Sequence, residues 1–309
     1  MGTIYISRLP CEVGGFCLEG GASPPIAPAN HGFFPPGLEG LGPLGQHVSM
    51  LLFKRLMDFP RAALSRLGNK RRSARCPVAP GFPLKASISL SGAPEPTTGK
   101  RDSRSGIRWG GAVLDLSSGG LSLRLPAAAT TTRGEPSVLT LSLEDFELHV
   151  PCTVAHFRTH ASGAWCGLAL AFDDDTQRKG YLQLLEAVVL GAEFSFDKAP
   201  KDSSGLYCER YRSGGKRAVL TVWRTEKGGD LYGFELSVGE HCVRGDMARS
   251  TLQACASDEE RTPLPAGPER SEVIRLYRIL TANLPKALPA DLRAAMASLG
   301  RPEISAPRR

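Results

Sequence analysis

"GAVLDLSSGGLSLRLP", residues 111–126, reads as a strand, a tight turn and a second strand. Apolar and polar residues alternate on both sides of a Ser-Ser-Gly-Gly centre, the pattern of a half-buried hairpin. The centre also reads D-x-S-x-x-G, with Asp115, Ser117 and Gly120 at the strand-to-strand turn.

The segments around this hairpin carry the same period. "PLKASISL" (83–90) alternates upstream, and a polar, turn-rich loop (91–106) separates it from the hairpin. Downstream, "SVLTLSL" (137–143), "FELHVPCTVAHFRT" (146–159) and "AWCGLALAF" (164–172) are strands by alternation and β-branching. Successive strands with short connections predict a small antiparallel β-barrel or sandwich. A helix should follow, capped by Asp173–Asp175, with Leu182, Leu184, Leu185, Val188 and Val189 inward and Gly191 as its stop. Trp165, Phe172 and Trp223 read as core residues.

After a polar linker, residues 198–300 predict a second, smaller α+β domain. Its strands are "LYCERY", "RAVLTVWRT", "LYGFELSV" and "HCVRGDM". Its two amphipathic helices are "PERSEVIRLYRILTANL" and "PADLRAAMASL", the first with Val273, Ile274, Leu276, Tyr277 and Leu280 inward. The fold class expected for the chain is thus mainly β with α. Residues 1–49, rich in Gly and Pro, read as disordered, with Met50 as an alternative start, and 301–309 as a flexible tail.

Charge is concentrated just upstream of the barrel. Residues 50–109 hold thirteen Lys and Arg against three acids, in a chain of net charge +7. "NKRRSARCPV" (69–78) contains Lys70, Arg71, Arg72 and Arg75. Arg71 and Arg75 form R-x-x-x-R directly before the first strand. Such a field attracts phosphates, nucleic acid or anionic lipid. Residues 50–69 read as a basic amphipathic helical segment, suited either to a membrane surface or to packing on the next domain. Eight scattered cysteines without a C-x-x-C pair, and no signal-peptide pattern, predict reduced thiols in a cytoplasmic protein. Cys152, His156 and His160 have four-residue spacing, but on a strand that spacing separates ligands too far for a metal site. No cofactor, metal site or nucleophile–base pair is indicated, so the reading is non-enzymatic.

R-x-x-x-R followed some forty residues later by D-x-S-x-x-G, then by the remaining strands and a helix, resembles the PilZ domain, a bacterial receptor for cyclic di-GMP, over about residues 70–191. The resemblance implies that Arg71, Arg75, Asp115, Ser117 and Gly120 bind the nucleotide, with Arg72 as a neighbouring candidate. A guanidinium matches phosphate oxygens or the Hoogsteen edge of guanine with paired donors, and a carboxylate accepts from guanine N–H groups. In this family the residue before R-x-x-x-R influences how many nucleotides bind, and a basic residue there, Lys70, suits a stacked pair. The expected function is a non-catalytic receptor that changes conformation on binding cyclic di-GMP and passes the signal to a protein partner. The alternatives are a basic module that binds nucleic acid or anionic membrane non-specifically, and a degenerate PilZ-type interaction scaffold. The receptor reading expects no specific nucleic-acid partner, and membrane contact only through 50–67.

Overall fold

The computed structural model describes residues 51, 53–54, 74–90, 106–201, 205–215 and 217–300, all within one compact unit spanning 46–309. Arg71, Arg72, the 91–105 loop with Lys100, Arg101 and Arg104, and nearly all of the basic segment at 50–69 lie outside the described residues.

Seven strands build the first sheet: β1 (Cys76–Pro77), β2 (Lys85–Leu90), β3 (Ile107–Ser117), β4 (Gly120–Leu125), β5 (Pro136–Leu143), β6 (Phe146–His160) and β7 (Gly163–Leu170). Six of them run antiparallel in the order β3-β2-β5-β6-β7-β4, and β4 pairs back onto β3 to close a barrel. The short β1 adds to the far end of β3, opposite Asp115 and Leu116. Alternation decides what fills the interior. Ile88 and Leu90, Leu121 and Leu123, Leu139 and Leu141, Leu148 and Val150 point inward and are almost fully buried. Helix α1 (Asp175–Ala192) follows, and Asp174 caps it by accepting from the Gln177 N–H at 2.8 Å.

The expected stop at Gly191 is not where α1 ends; the helix continues to Ala192 with Glu193 as its C-cap. Gly191 is instead a point of close approach. A Cβ there would lie 2.7 Å from the Leu280 carbonyl oxygen on the next helix. The missing side chain lets two helices meet.

The second region is a meander of six antiparallel strands, in spatial order β13-β12-β11-β10-β9-β8. They are β8 (Ser195–Lys198), β9 (Tyr207–Ser213), β10 (Ala218–Arg224), β11 (Leu231–Val238), β12 (His241–Asp246) and β13 (Thr251–Ala256). Helices α2 (Pro268–Ala282) and α3 (Ala290–Leu299) are the last elements among the described residues. Leu220, Val222, Phe234, Leu236 and Val243 belong to the same buried cluster as Val273, Leu276, Tyr277 and Leu280 of α2. The Phe234 and Tyr277 rings stack with centroids 6.1 Å apart. Sequence reading does not find β8 or β13. Every residue of β8 is exposed, so that edge strand has no apolar face to betray it. Ile274, expected inward on α2, is only partly buried.

Barrel and second sheet share one continuous apolar core, and polar contacts fasten the seam. Arg278 Nη1 reaches Glu144, in the β5–β6 turn, at 2.9 Å, and Arg275 bonds both Glu144 and Asp145. Phe53 is fully buried, and its backbone exchanges two hydrogen bonds with the Gln183 amide at 3.1 and 2.9 Å. Among the described residues no helix is long and apolar enough to cross a membrane.

Glu186 of α1 gives this seam a pH dependence. It is 2% exposed; among the described residues its one ion-pair partner is Arg217, in the β9–β10 connection, and Oε2 has no hydrogen-bond partner. Burial, only partly offset by Arg217, pushes its carboxyl up to about 7. The folded protein therefore keeps a proton that the unfolded chain releases from pH 4.5 upward, so stability falls as pH rises from 4.5 through about 7. Denaturant midpoints for Glu186→Gln should be flatter than wild type across this range, and at least as high above it. A wild-type-like slope would assign the pH dependence to other groups.

Candidate functional site

Asp115 faces outward only because β3 is irregular. The β3–β4 register runs Val113↔Leu123 and then Asp115↔Ser122, so Leu114 is an extra, bulged residue. Val113 and Leu116 both point into the barrel, which strict alternation forbids for residues three apart. The bulge turns Asp115 to the outer surface, and Val78 N–H donates to the freed Leu114 carbonyl at 2.9 Å.

A second bulge lies on the same lateral row. In β6 the register passes from Val154↔Leu168 to His156↔Gly167, with Ala155 as the extra residue. Val154 stays inside and His156 turns out. The outer row therefore reads Pro77, Asp115, Ser122, Gly167, His156 across five strands. The His156 imidazole lies over Gly167, where any Cβ would overlap the ring.

Arg75, one residue before β1, reaches onto this row. Its Nη1 donates to Asp115 Oδ1 at 2.7 Å and to Ser122 Oγ at 2.6 Å. The side chains of Arg75 and Asp115 are 47% and 26% exposed, so solvent screens the pair and its net worth is at most about 1 kcal/mol. Arginine and carboxylate are held together, yet an incoming anion can rearrange them at low cost. Two of the residues singled out from separate parts of the sequence thus meet directly.

Ser117 and Gly120 form the corner beneath. The Ser117 hydroxyl is turned into the hairpin and donates to the Gly120 carbonyl at 3.0 Å. The buried Tyr181 hydroxyl, from α1, lies 2.8 Å from the Ser117 carbonyl and 3.0 Å from the Gly120 carbonyl, donating to that pair. Burial raises the Tyr181 phenol well above its ordinary value, which keeps it a donor. Gly120 is needed on strand β4 rather than for the turn itself. A Cβ there would sit under 3.0 Å from the Leu168 carbonyl oxygen of β7. Cys76, beside Arg75, has its thiol pushed up to about 11 by burial and by the charges of Glu193 and Asp115, so it is no thiolate nucleophile near neutrality.

Sequence reading overlooks Ser122 and Tyr181. Ser122 is one polar residue in an alternating strand, and Tyr181 one aromatic residue in an apolar helix; neither carries a local signal. Trp165 is corrected: it is 49% exposed on the outer face, between Arg124 of β4 and Arg158 of β6, with its ring 4.9 Å from that of His160. Trp223 is half-buried on its sheet and lies outside the apolar core cluster, whereas Phe172 packs against that cluster. Cys152 faces the interior while His156 and His160 are exposed, and among the described residues no three His, Cys, Asp or Glu side chains group to hold a metal.

The first region is thus a closed six-strand barrel with an arginine–carboxylate corner on its outer wall, followed by a packed helix. Residues 69–191 match the family model of the PilZ domain, and the chain carries that domain there. PilZ domains form a family of cyclic di-GMP receptors. Among solved structures, the chain is similar to the PilZ domain of CeSA from a cellulose synthesizing bacterium. The match has 18% identity, covers 37% of this chain and 95% of that one, and has a TM-score of 0.26. No curated protein matches the chain.

Proposed function

We propose that the protein is a non-catalytic receptor for cyclic di-GMP. The reading rests on the meeting of Arg75 and Asp115 on the outer row of the barrel. Cyclic di-GMP brings two phosphodiester charges and two guanines. Both hydrogen bonds from Arg75 leave through Nη1, so the other edge of its guanidinium can take phosphate oxygens or the guanine O6/N7 edge. Asp115 accepts from guanine N–H groups once its exposed pair with Arg75 opens. Ser117 and Gly120 give the corner its shape, while Arg71 is assigned to the ligand by family resemblance, with Arg72 a neighbouring candidate. His156 closes the far end of the row. Ligand binding then rearranges the Arg75–Asp115 corner, and a protein partner reads the altered surface.

Calorimetry on the full chain tests this. Saturable binding of cyclic di-GMP, at least tenfold tighter than of cyclic di-AMP, is expected. Two phosphates imply a loss of about tenfold or less between 50 and 200 mM salt. No saturable binding, or equal affinity for both dinucleotides with a much steeper salt slope, would instead mark a non-specific polyanion surface.

A further inference from the structure

The C-terminal lobe reaches back to the nucleotide corner through one side chain. Asn283, the C-cap of α2, is 4% exposed. Its Oδ1 accepts from the Ala79 N–H at 2.7 Å, and its Nδ2 donates to the Val188 carbonyl at 2.9 Å and the Pro77 carbonyl at 3.3 Å. A single amide therefore satisfies backbone groups of the β1 exit and of α1 from its own place at the end of α2. Pro77 is the β1 residue opposite Asp115, and Arg75 lies two residues upstream of it. Gly191 permits the approach, since a Cβ there would fall 3.2 Å from the Asn283 Cβ. Buried side-chain amides with three partners are costly to disturb, because each backbone group left behind stays desolvated and unpaired.

We propose that Asn283 is a positioning residue for the nucleotide corner, coupling the packing of the C-terminal lobe to ligand affinity. The inference rests on the cyclic di-GMP reading. Asn283 acts through β1: it fixes the backbone at 77–79, which sets where Arg75 leaves the barrel relative to Asp115. Thermodynamic reciprocity then requires that ligand, by holding Arg75 in place, tighten the Asn283 junction in return. The second region thereby senses occupancy without touching the nucleotide.

The test uses the full chain. Asn283→Ala should bind cyclic di-GMP about tenfold more weakly than wild type at a temperature where both are folded. In a cycle with Arg75→Lys the two losses should be non-additive, with Asn283→Ala costing less than threefold once Arg75 is replaced. A purely structural role would lower the melting temperature and leave the cycle additive. Should Asn283→Ala fail to fold, hydrogen exchange on the wild-type protein decides. Saturating cyclic di-GMP should slow exchange at the Ala79 amide and in the last turn of α2 at least fivefold. Wild-type affinity in a folded Asn283→Ala, an additive cycle, or unchanged exchange at both places would overturn the coupling alone. Absence of binding by the wild-type protein would discard the nucleotide reading, and the coupling with it.

Discussion

Arg75→Ala is expected to weaken cyclic di-GMP binding by about 100-fold while leaving the barrel folded. The estimate follows from the bonds at stake. Hydrogen bonds to a charged group contribute about 1.5–3 kcal/mol each, and each 1.4 kcal/mol is a factor of ten in affinity. The ion pair with Asp115 is exposed on both sides, so its loss changes stability by about 1 kcal/mol or less. Affinity and melting temperature therefore part company in this variant. Asp115→Ala should show the same split, and Asp115→Asn, which keeps one acceptor oxygen, should fall between. Calorimetry beside thermal denaturation reads both quantities. Unchanged affinity in Arg75→Ala and Asp115→Ala together would remove this corner from any binding role.

The second large effect lies at Gly120 and has the opposite profile. Gly120→Ala places a methyl group against the backbone oxygen of Leu168, where no flexible side chain can yield. The strained element is the β4–β7 ladder, which pairs Gly120 with Ala169 and helps close the barrel. A loss of about 3 kcal/mol or more is expected, a fall of roughly 10 °C in melting temperature for a unit of this size. Gly119→Ala is the matched control. Nothing lies within 4 Å of a Cβ there and no positive φ is required, so its stability should stay within about 0.5 kcal/mol of wild type. Equal melting temperatures for the two variants would refute the close-approach explanation of Gly120.

The two glycines show where sequence reading stops. D-x-S-x-x-G is visible as a motif, and glycine after two serines suggests a turn. The structure gives the last glycine a different task, set by a strand forty-eight residues further along the chain. Gly191 repeats the lesson. Its place at the end of an apolar run looks like a helix stop, but the Leu280 carbonyl on another helix explains it. Partners distant in sequence leave no local trace, and Ser122, Tyr181 and Asn283 were illegible for the same reason.

Local chemistry was enough for much else. The alternation in β2, β4, β5 and β6 specifies strands with their apolar side inward, because a one-residue slip would turn every leucine into water, while closure into a barrel rests on the β3–β4 pairing. The paired motifs pointed to the domain that residues 69–191 match, while the charge at 69–78 raises the expectation of an anionic ligand that binding experiments must test. What only the folded chain could decide is the direction of Asp115 and His156. By alternation from Val113, Asp115 would lie inside the barrel; an extra residue in β3 turns it outward, and another in β6 does so for His156. A bulge is a bargain between a strand and its neighbour over hydrogen-bond register, so a strand read alone cannot announce it.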